Sequence, residues 1–343
     1  MKKKITKFLI VVFIVGLIFF LVVQNLNKPR VFILHSYGMN YSWVKDINEG
    51  LMRVLKKRPY SIRWHYMDTK RHPSEQYKQW AGDAARKIIK DWKPTILIAI
   101  DDNAQKYVAK YFINDPSMEI VYTGVNAQES TYGYDKAKNV TGILERIPFN
   151  EFKEVFLQLL PKNRRRIVHI SDNSTSSKFI HQELEKVNWK PFKLVKSFRC
   201  DTFDQWKKGI KKAEKIGDII LMTHYHTIKH KMSDKSIIPP KDIIDWTEPR
   251  LKIPTIGCWG FYVEDGGTMA IAVSPYEQGE VSAKMAVEII EKKISASKIP
   301  RKISVQYVVY VREDGIKKMN IELPKILEAF ARATNHYYER KKK

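Results

Sequence analysis

The feature that most constrains this chain is a regular alternation of short β-branched runs with amphipathic helical stretches after residue 30. Strands are predicted near residues 31–36, 61–67, 95–100 and 119–123, and helices fall between them. This alternation is typical of a parallel sheet covered by helices on both faces, because parallel neighbours need a crossover connection. The predicted fold class is therefore α/β, with a doubly wound parallel sheet.

The same architecture recurs after Pro148. A helix is predicted from Asn150 to Leu160, and strands follow in the segments RRIVHIS, FKLVKSF, DIILMTH and IPTIGCW. After GFYVEDGGTMAIAVSP we expect a helix over Glu277–Lys293, the strand ISVQYVVYV and a last helix near 324–333. A chain of 343 residues is long for one core, so two α/β domains joined by a three-strand hinge are expected.

The chain should pass between these two domains three times, near 147–148, 265–274 and 302–305. Each domain is then assembled from two stretches of sequence. We expect residues 1–27 to form an N-terminal membrane anchor or signal segment, 29–146 with 275–302 the first domain, 147–274 with 303–333 the second domain, and 334–343 a basic tail that ends in a frayed run.

The first thirty residues predict a single transmembrane helix. Four lysines precede Phe8–Val23, an apolar run without a charge that spans roughly 24 Å as a helix. Its exit, FLVVQNLNKP, has no Ala-x-Ala pattern and no cysteine, which favours an uncleaved anchor over a cleaved signal peptide. The lysines should hold the N-terminus in the cytoplasm, so the protein is expected in the cell membrane as a single-pass protein whose domains are extracytoplasmic.

Charge and motif content exclude several classes of function. The net charge is +24, yet the basic residues are scattered over helix surfaces without a nucleic-acid motif, which favours a solvated surface beside anionic lipid over nucleic-acid binding. No G-x-S-x-G, H-E-x-x-H or P-loop pattern occurs, so we expect neither an enzyme nor a cofactor. Cys200 and Cys258 lie on strands predicted to be non-adjacent, which argues against a disulfide.

The segment THYHTIKH raises the question of a metal site. His224 and His226 are two residues apart, and we expect their side chains to point to opposite faces, unless the strand ends before them. We therefore expect surface or cleft histidines and no metal.

Polar and aromatic residues follow the strands directly, and they define the candidate ligand site. Ligands bind outside the carboxyl ends of strands in open parallel sheets, so two such domains should bind a ligand in the cleft between them. The predicted ligand-binding residues of the first domain are Ser36, Tyr37, Trp43, Asp101, Asp102, Asn103, Thr123, Gly124 and Asn126. Those of the second domain are Asp172, Asn173, Ser174, Ser177, Tyr225, His226, Trp259 and Phe261.

Structural roles compete with ligand binding at these positions. Asp101 or Asp102 would also serve as a helix cap, Trp43 would also fill core, and the serines and asparagines would also make caps and turns. Ser42 is predicted as the N-cap of the first domain's opening helix. The aromatic residues, Tyr41 included, favour a flat or partly apolar ligand such as an aromatic amino acid or a nucleobase.

Several segments together resemble a known family. They are KPTILIAIDDNAQKYVAKYF, EIVYTGVN, NVTGILERIPFNEFKEVFLQLLPKNRRRIVHISDNSTSS, KIPTIGCWG, YEQGEVSAKMAVEII and GIKKMNIELP. Their order and spacing, from Val31 to Pro324, resemble periplasmic substrate-binding proteins of ABC transporters with the type I fold, in the subgroup that has tryptophan- and tyrosine-binding members. The resemblance implies a hinged clamp that closes on a small molecule and is read by an ABC permease.

Two features modify what the resemblance implies. The opening HSYGMNYSW resembles a branch whose domains are fused to bacterial sensor proteins, so a ligand-sensing module that signals to a separate membrane partner is the alternative function. A third possible function is that of a scaffold or adhesion domain that has kept the fold and lost its ligand. Family members commonly carry Thr-Pro after the third strand and Asp-Pro after the fourth, where this chain has Asp101-Asp102 and Asn126-Ala127, so the resemblance does not carry the ligand over.

Overall fold

A computed structural model describes residues 2–26, 28–234 and 236–339. The strands are β1 (Arg30–His35), β2 (Ser61–Tyr66), β3 (Ile96–Ile100), β4 (Glu119–Val125), β5 (Val140–Leu144), β6 (Arg166–Asp172), β7 (Lys193–Cys200), β8 (Ile219–Met222), β9 (Thr255–Gly257), β10 (Met269–Val273), β11 (Lys302–Ile303), β12 (Tyr307–Arg312) and β13 (Tyr337–Tyr338). The α-helices are α1 (Lys2–Leu26), α2 (Ser42–Leu55), α3 (Glu75–Trp92), α4 (Asp101–Tyr107), α5 (Phe149–Leu159), α6 (Thr175–Lys186), α7 (Phe203–Ile216), α8 (Pro240–Thr247), α9 (Phe261–Glu264), α10 (Pro275–Lys292), α11 (Glu313–Lys318) and α12 (Lys325–Ala333).

Two sheets form the cores of two domains, which confirms the predicted fold class. The six-stranded sheet has the order β11-β5-β4-β3-β1-β2 and is parallel throughout. The seven-stranded sheet has the order β13-β12-β10-β9-β8-β6-β7, in which only the β10–β12 pairing is antiparallel. The strands β1, β3 and β4 are almost wholly buried because helices cover both faces, as their continuous apolar runs predict.

Helix α1 is separate from both sheets. Its apolar stretch, Ile5–Asn25, has 21 residues and is exposed along its length. It extends beyond the run predicted from the sequence and spans roughly 32 Å, long enough to cross a bilayer.

The structure differs from the sequence prediction at several elements. Strands β5 and β10 were not predicted, and the segment predicted as one strand, ISVQYVVYV, is divided between β11 in the first sheet and β12 in the second. Because β10 still pairs in the second sheet, the second passage between the sheets begins only at Ser274. Residues 337–338 pair with β12, so ordered structure extends past residue 333, whereas the terminal basic run, 340–343, lies outside the described residues.

The three passages between the sheets are hydrogen-bonded to one another. Ser304 N donates to Leu144 O at 3.0 Å, and Ser274 N donates to Gln306 O at 3.0 Å. The carboxylate of Glu277, at the start of α10, accepts from the backbone N–H groups of residues 305 and 306. The hinge is therefore a bonded unit of three chain segments.

Helix α10 packs closely on α2 and so belongs to the first domain. Gly50 and Gly279 lie at this crossing, where a β-carbon on either would collide with the backbone of the opposite helix. The absence of a side chain at these two positions lets the helix axes approach closely. The first domain is therefore completed by a helix that follows the second passage.

Candidate functional site

The carboxyl ends of the parallel strands face each other across one cleft. We call the loops and first helical turns after β1 to β5 the first lip, and those after β6, β8 and β9 the second lip. Several contacts join the lips: Tyr37 Oη lies 3.1 Å from Ser176 Oγ, and Trp259 Nε1 donates to Glu145 Oε1 at 2.7 Å. The ring of Tyr41 lies 4.8 Å from that of His226.

Asp101 and Trp43 form a buried pair in the first lip. Trp43 Nε1 donates to Asp101 Oδ1 at 3.0 Å, whereas Asp101 Oδ2 is buried and has no hydrogen-bond partner within the described part of the chain. Burial, together with the nearby Glu145 carboxylate, raises the pKa of Asp101 well above its usual value. Asp101 is the first residue of α4, so it is not the N-cap that the sequence allowed.

Asp102 organises the first lip from within. Its carboxylate accepts from the backbone N–H groups of Asn126 and Ala127, from Tyr132 Oη at 2.9 Å, and from Ser176 Oγ at 3.3 Å across the cleft. Burial raises its pKa although these hydrogen bonds oppose the shift. Asp102 therefore fixes the loop after β4, a role different from the helix cap that the sequence allowed.

The remaining first-lip residues divide into two groups. Ser36 Oγ accepts from Ala104 N and donates to Ile100 O, both at 2.7 Å, so it joins β1 to α4. Asn103 Nδ2 donates to the hydroxyl of Thr69, and Asn126 Nδ2 donates to Glu145 Oε2. These hydrogen bonds stabilise the first lip.

Thr123 and Gly124 are turned away from the second lip. Thr123 Oγ1 lies 2.9 Å from both the backbone and the side-chain oxygen of Gln278, and Gly124 N donates to Gln278 Oε1 at 2.9 Å. Gly124 has a φ of +65°, which suits glycine at the shift in register between β4 and β5. The structure thus brings these two residues against α10, where they hold the first domain together.

Asp172 is the central acceptor of the second lip. Its oxygens accept from Ser177 Oγ at 2.6 Å, from Ser174 N at 3.1 Å and from Thr227 N at 3.1 Å. Burial would raise its pKa, but the ammonium of Lys70 and these hydrogen bonds outweigh burial and lower the pKa below its usual value. Ser174 is the N-cap of α6, as its alternative role predicted, and Asn173 donates to Asp201.

An aromatic group with two imidazoles lines the second lip. Trp259 and Phe261 are stacked at 5.8 Å, and the rings of His224 and His226 lie 6.1 Å and 4.6 Å from Phe261. Tyr225 Oη donates to Asp265 Oδ2 at 2.6 Å. Burial lowers the pKa of His226 to about 3. Its imidazole is therefore uncharged at neutral pH, with one ring nitrogen as a hydrogen-bond donor and the other as an acceptor.

The expectation that His224 and His226 point to opposite faces is wrong, because residues two apart on a strand share one face. The exception made for a strand that has ended also applies: β8 ends at Met222, and both rings reach Phe261. Within the described ranges, no group of three or more His, Cys, Asp or Glu side chains is placed to hold a metal ion. Cys200 and Cys258 are both free and buried.

Sequence reasoning missed Lys70, Glu145 and Ser176, and it did not place His224 among the ligand-binding residues. Lys70 lies four residues after the end of β2, separated from the strand by a polar turn, and its ammonium lies 4.9 Å from the centroid of the Tyr37 ring. Glu145 follows β5, which the sequence did not reveal; burial raises its pKa to about 8. His224 and Ser176 adjoin predicted residues and would have been found by including the neighbours of each strand end.

Buried polar atoms without a protein hydrogen-bond partner are concentrated at the two lips. In the part of the chain that the structure describes, those at the lips are Lys70 Nζ, Asp101 Oδ2, Asn103 Oδ1, Asn173 Oδ1, His224 Nδ1 and His226 Nδ1. Such atoms are costly to bury unless a ligand, an ion or water satisfies them. Lys70 and His226, one from each domain, also line a cavity of about 330 Å³ beside Tyr41 and Arg71.

The fold and the facing lips define a class of protein, the two-domain clamp with the type I periplasmic binding protein fold. The family described as ABC transporter substrate binding protein matches residues 40–335. The chain therefore belongs to this family of extracytoplasmic solute-binding proteins, as its sequence resemblance implied. Among curated protein sequences, none matches this chain.

Solved structures agree on the fold. A conserved domain protein from Vibrio cholerae has a TM-score of 0.69 at 16% identity, covering 89% of this chain and 98% of its own. An ABC domain from Streptococcus pneumoniae in complex with L-Trp has a TM-score of 0.67 at 15% identity, covering 88% and 98%. A substrate-binding protein with adhesive properties from Clostridium difficile, in a ligand-free, open structure, has a TM-score of 0.62 at 17% identity, covering 92% and 100%.

Proposed function

We propose that this protein captures a small molecule in the cleft between its two lips by closure of its two domains. The observation that carries the proposal is the concentration of unsatisfied buried polar atoms contributed by both lips. A ligand that satisfies atoms from both domains binds the closed arrangement better than an open one. It therefore shifts the equilibrium toward closure, and that change is the signal to a membrane partner.

The composition of the lips supports a ligand with an aromatic ring and charged or polar ends. Tyr41, Trp259 and Phe261 provide ring surfaces, and Lys70 provides a donor for a carboxylate. Asp101 provides a carboxyl group that can bind a hydroxyl group in its neutral form or an ammonium group that stabilises its charged form. An aromatic amino acid or a nucleoside has this combination. The L-Trp bound by the Streptococcus pneumoniae protein makes L-tryptophan the first compound to test.

We further propose that α1 holds the protein in the cell membrane as an uncleaved anchor, with the two domains outside. Ile5–Asn25 has the length and apolarity of a membrane span, although a signal sequence shares both properties. An ABC permease is the proposed partner. A separate membrane sensor is the alternative partner, favoured by the resemblance of the segment HSYGMNYSW to sensor-fused domains.

Calorimetric titration of the full chain in detergent, against aromatic amino acids, nucleosides, sugars and polyamines, tests solute capture. Lys70→Met should weaken binding of a carboxylate-bearing ligand about tenfold or more, because the ligand then loses a charge-assisted hydrogen bond. The matched control is Lys110→Met, whose ammonium lies 5.1 Å from the exposed Tyr111 ring. Equal affinities of the two variants and the wild type would remove Lys70 from the site, and no binding in any class would contradict solute capture.

A further inference from the structure

The end of the first domain opposite the cleft carries a compact basic surface. The strands of the six-stranded sheet all begin at this end, and the loops that lead into them lie here too. We call this surface the basal pole and define it by Lys28, Lys56, Lys57, Arg58, Lys93 and Lys293. Helices α2, α3 and α10 end here, at Leu55, Trp92 and Lys292, and each is followed at once by one or more of these basic residues.

Backbone contacts tie the pole into one surface. Ser61 N donates to Pro29 O and Thr95 N donates to Arg30 O, both at 2.9 Å, so the starts of β1, β2 and β3 are adjacent. Lys28, Lys93 and Lys293 line a shared groove of about 600 Å³. Its walls also contain apolar side chains, Met118 and Ile294 among them.

Acidic groups offset only part of the positive charge at the pole. Glu291 is paired with Arg58 at 2.5 Å, and Glu119, which lines the groove, accepts from Ala296 N at 2.7 Å and keeps its charge. Asp91 is exposed near Lys93. The lysines at positions 56, 57, 93 and 293 are exposed, and the carbonyl ends of three helices favour positive charge at this place.

The chain itself brings this pole to the membrane. Helix α1 ends at Leu26 and β1 begins at Arg30, so at most roughly 14 Å of extended chain separates the helix from the sheet. If α1 spans the bilayer, the edge of the sheet that begins at Arg30 lies within reach of the headgroups. The cleft, at the other end of the strands, then faces away from them.

We infer that the basal pole docks on the headgroups of anionic phospholipids in the membrane that holds α1. The inference rests on the proposed anchor and is independent of which ligand the cleft binds. Charge complementarity supports it, because juxtamembrane lysines are attracted to anionic headgroups within about a Debye length, roughly 8 Å. The groove supplies both cationic side chains for phosphate groups and apolar walls for the glycerol region.

The test uses the full chain in nanodiscs of phosphatidylcholine alone and of phosphatidylcholine with phosphatidylglycerol. Amine acetylation at each lysine is followed by mass spectrometry. A surface potential of about −30 mV lowers the fraction of reactive neutral amine about threefold, so acetylation of Lys93 and Lys293 should slow by that factor in the anionic nanodiscs. Lys208, Lys211 and Lys212 on α7 of the second domain serve as internal controls and should be unaffected.

A pair of charge variants makes the test specific. The triple variant Lys28→Gln, Lys56→Gln and Lys57→Gln should lose part of the protection of Lys93 and Lys293, whereas Lys208→Gln, Lys211→Gln and Lys212→Gln should retain it. Equal acetylation of the pole in both lipids overturns the inference. Failure of the chain to remain in nanodiscs overturns it too, but leaves solute capture standing, because ligand titration in detergent reports on the cleft separately.

Discussion

The two lips meet at one cleft but are built from opposite chemistry. The first lip is acidic, and burial raises the pKa values of its carboxyl groups Asp101, Asp102 and Glu145. The second lip is aromatic and imidazole-rich, and its one central carboxylate, Asp172, has a lowered pKa because of Lys70 and its hydrogen bonds. The environment of the first lip therefore favours the neutral form of its carboxyl groups, whereas that of the second lip favours the charged form of Asp172.

This difference shows that position alone does not assign a role to a residue at a strand end. Asp101 and Asp172 both follow buried strands, yet Asp172 satisfies donors of its own domain while Asp101 keeps one oxygen unpartnered in the described structure. A carboxylate whose oxygens are both occupied stabilises its lip. One with a free oxygen is available to a ligand.

The largest expected effect separates these two carboxylates. Asp172→Asn replaces an acceptor oxygen with an amide donor that faces an N–H or O–H group, so the free energy of unfolding should fall by about 3 kcal/mol. Asp101→Asn places its amide nitrogen at the unpartnered oxygen and should cost no more than about 1 kcal/mol. Denaturant unfolding of both variants measures this, and equal losses would show that the lips do not differ in this way.

The next effect concerns pH and Glu145. Its pKa is raised to about 8, so the folded protein holds this proton more tightly than the unfolded chain, and the contribution to stability is lost as pH rises from about 4.5 to 8. Glu145→Gln removes this loss. Because buried histidines such as His226 titrate in the opposite sense, the quantity to measure is the stability difference between variant and wild type.

This stability difference should move in favour of Glu145→Gln by about 3 kcal/mol between pH 5 and pH 8. Denaturant unfolding at a series of pH values provides it. The exposed Glu291→Gln serves as a control for a general charge effect and should show no trend of this size. A flat difference for Glu145→Gln would show that this carboxyl group is solvated.

A smaller effect distinguishes a bond between lips from a bond within one. Trp259→Phe removes the hydrogen bond to Glu145 across the cleft and should shift the population from closed toward open about tenfold. Trp43→Phe removes a bond that lies wholly within the first lip and should leave that population nearly unchanged. Small-angle scattering on both variants measures the shift. An equal response of the two variants would show that the Trp259–Glu145 hydrogen bond does not favour the closed state.

The smallest effect lies within the second lip. Tyr225→Phe removes a hydrogen bond to Asp265 and should lower the free energy of unfolding by about 1 kcal/mol. Tyr41→Phe keeps the ring contacts with His226 and Phe261 and should change it by no more than about 0.5 kcal/mol. Thermal unfolding of the two variants measures both changes. A larger loss of stability for Tyr41→Phe than for Tyr225→Phe would show that the hydroxyl group of Tyr41, and not that of Tyr225, stabilises the fold.

Much of the fold followed from periodicity, because each buried parallel strand is a continuous apolar run and each helix has one apolar face. Strands β5 and β10 were not predicted from the sequence. The β5 segment VTGIL is short and contains glycine, and the β10 segment MAIAV contains two alanines and only two β-branched residues. The location of the cleft followed from the strand ends. The direction of each side chain did not, so Thr123 proved to face α10, and Glu145 was missed together with its strand.

The bonded hinge has a mechanical consequence. The third chain segment is hydrogen-bonded to both of the others, so none of the three can twist alone without straining its bonds to a neighbour. We therefore expect the three segments to bend together and the second domain to move about a single axis relative to the first. Along that axis, one distance between two spin labels, one on each domain, would describe the whole trajectory of the molecule.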